Sequence, residues 1–510
     1  MRLIDWLDRG AMLGGADRAC VIDGTRRLGY GEVVRETRRI GAALLHHGAG
    51  PGTTASVLGP NSADALTGVL AIARSGAAWI PANARATVDE LVHVLTAGSC
   101  RALIYDPEMA GTAALLRDRV PSLRWTVSYE QLRGALPGDP DGIPDPPERP
   151  DETAMVAFTG GTTGRPKGVV LSNRAMESMV TALLSAADLG DPPVYLAAAP
   201  LTHAAGAMCF PALALGGTVV VQRGVEAGAV LEAIERHRVT FLFLPPTAVY
   251  MLLADPSVGS RDRSSLRTLL YAAAPMAPER VREALEVFGP VLVQTYGQTE
   301  APMICTVLTA AEHAAALAAG DLGRLGSCGR PSAVARVAVM DDAGTLLGPG
   351  ATGEIVVRGS LLMDGYLDAP EATAAAFADG WLRTGDVGYL DESGYTHLVD
   401  RKKDMIISGG FNVYSAEVEH AVLAHPSVQQ CAVIGTPHAR WGEAVTAVVE
   451  LRPGASLDAD ELIAACKASL GSIKAPKRVE VWDELPRSAA GKILKREIRA
   501  GFWSGLDRAI

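Results

Sequence analysis

Residues 158–170 read FTGGTTGRPKGVV, a stretch in which hydroxyls, glycines and one lysine crowd together directly after an apolar run. A phosphate cradle needs backbone N–H groups free to converge, extra hydroxyl donors and a cation to offset charge. Gly160, Gly161, Gly164 and Gly168 free the backbone, Thr159, Thr162 and Thr163 supply hydroxyls, and Lys167 supplies the cation. The string is not a P-loop of the GxxxxGK[ST] type, because Arg165 and Pro166 separate Gly164 from Lys167. Read alone, it equally describes a glycine-rich turn with a solvated lysine. In YGQTE, Tyr296 offers a face for a flat base, Thr299 a hydroxyl and Glu300 a hard oxygen for a divalent cation. In TGD, Asp386 has two acceptor oxygens suited to a vicinal diol, or to an Asx turn. Lys492, in SAAGKILKRE, sits on a small-residue loop before an amphipathic helix, where a lysine is ordinarily plain surface.

These strings must be held by elements. Between residues 30 and 150 helical and strand patterns alternate: YGEVVRETRRIGAALLHHG, TTASVLGP, ADALTGVLAIARSGA, AAWIPAN. That alternation predicts a largely parallel sheet covered by helices. The proline- and acid-rich run 137–152 reads as a surface connector, and TAMVAFT behind it as a strand leading into the glycine loop. VTFLFLPPTAVYMLLA, broken by Pro245 and Pro246, predicts a buried strand, a turn and a helix; it is too short to span a bilayer. From about Gly323 short strands and turns dominate, and a smaller α+β unit closes the chain, with Ser415 predicted as an N-cap and Asp458 with Glu461 as a capping box. The boundary is placed near 400–404, in the charged string DRKKD, giving domains 1–400 and 401–510.

At 510 residues two or more domains are expected. The composition, 48% hydrophobic and 20% charged, is that of a soluble globular protein, and no repeat or long low-complexity tract is seen. A net charge of −10 argues against nucleic acid as partner, since polyanion affinity comes from clustered Lys and Arg. The seven cysteines are scattered without a CxxC pair, which reads as free thiols in a reducing cytoplasm rather than a zinc site. Asp5 and Asp8 interrupt the apolar start, so it is not read as a signal peptide.

FTGGTTGRPKG resembles the phosphate loop of the adenylate-forming superfamily of acyl-CoA synthetases, peptide-synthetase adenylation domains and luciferases. PLTHAAG, YAAAPM, QTYGQTEAP, GEIVVRGSLLMDGYL, WLRTGD, DRKKDMIISGGFNVYSAEVE, RWGE and LPRSAAGKILKREIR follow in the superfamily's order. The resemblance implies a large N-terminal domain of β/α subdomains plus a distorted β-barrel, and a small mobile α+β C-terminal domain. It implies nucleotide contacts by the glycine loop, by Ala273, Ala274 and Pro275, by Gln294, Thr295, Tyr296, Gly297 and Thr299, and by Asp386 and Arg401 on the ribose. Glu300 and Thr163 would hold Mg²⁺, Lys167 would assist departing pyrophosphate, and Lys492 would bridge the acid carboxylate and the α-phosphate of ATP. His203 matches the position that gates the acid tunnel.

The same resemblance implies coenzyme A as acceptor, with a separate carrier-protein thiol as the alternative. Lys403 matches the hinge position. Gly409, Gly410, Trp441, Lys474, Lys477 and Arg85 are the candidate coenzyme A contacts. Departures are Gly160, where many relatives carry Ser, and Ala272–Pro275, where Gly-Gly-Ala-Pro is commoner; neither removes a charged participant. A pocket made of His203, Ala204, Ala207, Met208, Ala273, Pro302 and Met303 would be apolar, with no second cation, and so suits a hydrophobic monocarboxylate over a dicarboxylate or an amino acid. A catalytically silent relative would be expected to lose at least one of Lys167, Glu300, Asp386 and Lys492; all four are present.

Overall fold

Short strands with every side chain buried run through the middle of a nine-stranded sheet. Phe241–Leu244 and Thr268–Tyr271 are parallel neighbours, and all eight side chains are buried. An unbroken apolar run is what a parallel strand covered on both faces requires. The computed structural model describes residues 1–135, 147, 149–159, 166–487 and 493–503. Most of the glycine loop (160–165), most of the 137–152 connector and the segment 488–492 therefore lie outside the described residues.

The chain forms two compact units, Met1–Val337 with Val357–Leu382, and Ala338–Val356 with Arg383–Ile510. In the first, the parallel strands Val194–Ala197, Thr218–Val221, Phe241–Leu244, Thr268–Tyr271 and Leu292–Gln298 form the body of the nine-stranded sheet. Helices Ala227–His237, Pro246–Ala254 and Pro278–Phe288 bury Val230, Leu231, Val249, Leu252, Val281 and Leu285 against it. The predicted strand, turn and helix of VTFLFLPPTAVYMLLA are thus present, with Pro246 opening the helix where a missing N–H costs nothing. A seven-stranded sheet carries Thr54–Gly59, Ala78–Asn83 and Cys100–Tyr105 in parallel, and the hairpin Thr153–Thr159 with Lys167–Ser172 at one side. Helices Tyr30–His46 and Ala63–Ser75 stand where the alternating pattern puts them.

In the second unit, Thr396–Arg401 pairs with Trp381–Leu390, and helix Ser415–Leu423 packs on it. The segment 400–404 accordingly lies inside this unit. A further sheet of Ile406–Ser408, Phe411–Val413, Val428–His438, Gly442–Leu451 and Arg478–Val481 is covered by helices Ser415–Leu423, Ala459–Lys474 and Lys495–Phe502. Asp458 caps its helix by accepting from the N–H groups of Asp460 and Glu461. Ser415 is not the N-cap: Tyr414 holds that place, and Ser415 is the first helical residue. Its hydroxyl is 3.1 Å from Asp400 Oδ1 and accepts from Lys495 Nζ at 2.7 Å, so a buried ionic cluster has taken the group a cap would use.

Candidate active site

In open α/β sheets ligands bind beyond the carboxyl ends of the strands. In the first unit, the strings singled out in the sequence stand at those ends. The loop 198–203, which carries His203, follows Val194–Ala197; Ala272–Pro275 follows Thr268–Tyr271; Thr299 and Glu300 follow Leu292–Gln298. The hairpin that bears the glycine loop brings Thr159 opposite Lys167, so the loop's two ends are fixed side by side. Gly160, Gly161, Thr162, Thr163 and Gly164 themselves lie outside the described residues.

A residue not singled out in the sequence ties this end together. Gly365–Tyr366 adds a short strand to Lys167–Ser172, pairing Tyr366 with Val169. Lys167 Nζ then lies 5.1 Å from the centroid of the Tyr366 ring, and the Tyr366 hydroxyl donates to Glu300 Oε1 at 2.9 Å. Burial, with the Glu300 carboxylate beside it, raises the Tyr366 pKa, so the phenol stays protonated and keeps donating. A cation and a carboxylate are thus held on the two ends of one side chain. Glu300 Oε2 takes no hydrogen bond among the described residues, which leaves a hard oxygen for Mg²⁺. That ion uses one or two carboxylates and completes its shell with phosphate and water. No group of three or more His, Cys, Asp or Glu that could hold a metal occurs among the described residues.

Of the other nucleotide candidates, Ala273, Ala274 and Pro275 are exposed, while Tyr296 is buried and Gly297 and Thr299 half-buried. Ala273 has φ +75° and Met303 φ +64°, both in the left-handed region that costs a non-glycine residue roughly 1–2 kcal/mol. Strain of this kind concentrates at functional sites. Gln294 and Thr295 are buried in the strand Leu292–Gln298. The Gln294 amide is 3.2 Å from the Tyr271 hydroxyl, which is 2.9 Å from His313 Nε2. His313 Nδ1–H donates to the Thr309 carbonyl, and burial lowers its pKa to about 4. Because the unfolded chain protonates its histidine near 6.5 and the folded one near 4, stability is full above pH 6.5 and falls as pH drops toward 4. Over that window the loss is roughly 3 kcal/mol. Urea unfolding between pH 7 and 4 should show this slope, and His313→Gln should flatten it.

Of the acid candidates, His203 is exposed, Ala204, Ala207 and Met303 are half-buried, and Met208 and Pro302 are buried. Gly206 has no alternative: a Cβ there would meet the Leu201 carbonyl oxygen at 1.8 Å. In the second unit the structure brings Asp386 and Arg401 together. They face each other across paired strands, Arg401 Nε lies 2.7 Å from Asp386 Oδ1, and Asp386 is 5% exposed.

The coenzyme A candidates fall into three settings. Gly409, at φ +59°, donates its N–H to the Trp441 carbonyl at 2.8 Å, and Gly410 follows at φ +82°. Trp441 stacks on His438 and takes Lys477 Nζ at 5.8 Å from its centroid. Lys477 also donates to the carbonyls of Ile473 and Ala475. Lys474 is paired with Glu417 at 2.7 Å. Arg85 is exposed and has no ion pair among the described residues. Lys403 is half-buried, in the turn where Asp404 and Met405 donate to the Arg401 carbonyl. Lys492 lies outside the described residues, but the stem of its loop does not. Arg487 bridges Ile493 and pairs with Glu450 at 2.7 Å, and Leu485 N–H donates to the same carboxylate at 2.6 Å.

The model of the AMP-binding enzyme family matches residues 9–367, and that of the AMP-binding enzyme C-terminal domain residues 417–492. The chain belongs to the AMP-binding enzyme family. Within it, the chain is 41% identical to a feruloyl-CoA synthase of an Amycolatopsis species over 94% of this chain and 95% of the relative. It is 36% identical to the medium/long-chain-fatty-acid–CoA ligase FadD8 of Mycobacterium tuberculosis, over 98% and 90%. The amide bond synthetase McbA of Marinactinospora thermotolerans, at 36% identity, superposes with a TM-score of 0.87 over 98% of this chain and all of that one. No helix among the described residues is long and apolar enough to cross a membrane.

Proposed function

We propose that the enzyme activates a hydrophobic monocarboxylic acid with ATP and passes the acyl group to coenzyme A. An oxygen of the substrate carboxylate attacks the α-phosphorus of ATP, and the bond to the β-phosphate oxygen breaks. Acyl-adenylate forms and pyrophosphate leaves. The thiol sulfur of coenzyme A then attacks the acyl carbon, the thiol proton is lost, and AMP departs.

The observation that supports this reading is the Lys167–Tyr366–Glu300 arrangement at the end of the glycine hairpin, since one ammonium and one carboxylate held together there suit a triphosphate tail and its metal ion. Glu300, with Thr163, would hold Mg²⁺, which when bound offsets phosphate charge. Asp386 would accept from the ribose hydroxyls, with Arg401 fixing its orientation. Lys492 would stabilise charge building on the α-phosphate. A pivot at Lys403 would then exchange Lys492 for a thiol passage bordered by Gly409 and Trp441. The acid assignment is supported by the small apolar side chains beside His203 and Met303. It is supported further by two relatives named for feruloyl and for medium- or long-chain fatty acyl groups. Seven buried free thiols fit a reducing cytoplasm.

Pyrophosphate release, measured over a panel of fatty, aromatic, alicyclic and dicarboxylic acids with and without coenzyme A, tests the proposal. Release with hydrophobic monoacids and a thioester made with coenzyme A alone are expected. Silence across the panel defeats the adenylation reading. Release without thioester, restored only by a phosphopantetheinylated carrier protein, moves the acceptor to that protein.

A further inference from the structure

The loop 198–203 is held from the other sheet of its unit, and two asparagines do the holding. Strands Thr54–Gly59 and Ala78–Asn83 are parallel neighbours with Gly59 opposite Asn83, so Asn61 and Asn83 both stand at the carboxyl edge of the seven-stranded sheet. Asn61 is 8% exposed. Its Nδ2 donates to the carbonyls of Ala199 at 2.8 Å and Gln222 at 3.0 Å, and its Oδ1 accepts from Leu201 N–H at 2.8 Å. One amide thereby closes three backbone groups around the start of the loop, and the turn it sets ends at His203.

Asn83 acts on the ring itself. Its Oδ1 accepts from Arg85 N–H at 2.9 Å, which settles which end of the amide faces where. Nδ2 is left toward His203 Nε2, 3.3 Å away. An amide NH₂ only donates, so Nε2 must present its lone pair, and the ring proton must be on Nδ1. The geometry points to Asn83 as a positioning residue that holds His203 in the neutral, Nδ1-protonated form, on a loop whose backbone Asn61 fixes. Although His203 is exposed to solvent overall, partial desolvation of its ring lowers its pKa and acts in the same sense as the amide. A neutral ring at the acid's entrance offers one N–H donor without the ion pair that would retain a carboxylate.

This rests on the reading that His203 borders the acid's path, and the test separates the two. In the full-length protein, nitrogen-resolved NMR of the His203 ring should show the Nδ1–H tautomer and a pKa below 6.5. Asn83→Asp, isosteric with the native residue, should raise that pKa by about one unit or more, as an adjacent carboxylate does. Asn83→Leu should let the ring mix tautomers, and should raise KM for the acid about two- to tenfold, the worth of one hydrogen bond, with KM for ATP unchanged. Ring signals identical in wild type and both variants would overturn the positioning role. Ring signals that respond while KM for the acid stays put would leave Asn83 in its role and remove His203 from the acid's path.

Discussion

Lys492→Ala is expected to lower acid-dependent ATP–pyrophosphate exchange by about 10²–10³ while leaving thioester formation from supplied acyl-adenylate near the wild-type rate. The asymmetry follows from where charge develops. In the first half-reaction an anionic carboxylate approaches an anionic phosphate, and charge builds on the α-phosphate oxygens. A fixed ammonium there lowers the barrier in a way a neutral methyl cannot. In the second, a thiol attacks an acyl carbon that is already activated and AMP leaves, and the ammonium has no comparable charge to meet. The residues on either side of 488–492 are tied by the Arg487–Ile493 bridge and by Glu450, so the variant should fold. Equal loss of both half-reactions would contradict an exchange of Lys492 out of the site between the two steps.

What could be read in the sequence was the chemistry carried by residue type within short strings. TGD and DRKKD each flagged one polar residue, and the structure sets Asp386 and Arg401 2.7 Å apart. The buried strands were legible because a parallel strand covered on both sides has no polar residues to alternate. What escaped was set by long-range pairing. Tyr366 bridges Lys167 and Glu300 only because a two-residue strand docks on the hairpin, and nothing local in MDGYL announces that register. Asn61 and Asn83 look like turn residues in PNS and PANAR; their partners belong to a loop of the other sheet. Ser415 had the local signature of a cap, and tertiary charges claimed its hydroxyl. Lys474, a candidate coenzyme A contact, is paired with Glu417 through a contact between elements far apart in the chain.

Glu419→Ala should cost about 1–3 kcal/mol of stability in the second unit, because it removes the nearest of three carboxylates from Lys495 and leaves the Val433 N–H without its acceptor. Lys495 and Glu419 are 2.7 Å apart with side chains only 19% and 18% exposed, so water cannot screen the pair as it does a surface salt bridge. Glu419 Oε1 also accepts from Val433 N–H at 2.7 Å, and Lys495 donates to Ser415. Desolvation works against the charged form of Lys495, and the carboxylates of Glu419, Asp400 and Asp404 overcome it, raising its pKa. One turn further along the same helix, Arg499 meets Asp404 at 3.2 Å. The helix that follows the Lys492 loop is thus bound to both ends of the segment 400–404. Urea unfolding followed by hydrogen exchange should show the loss in Ser415–Leu423, Val428–His438 and Lys495–Phe502. The double variant Glu419→Leu with Lys495→Met, which removes both charges and keeps volume, should recover most of it. If the single variant were as stable as wild type, the pair would be solvated and the cluster would not be what fixes the helix. If the double variant restored stability yet adenylation stayed low, the ion pair would be serving the placement of the Lys492 loop beyond simple folding.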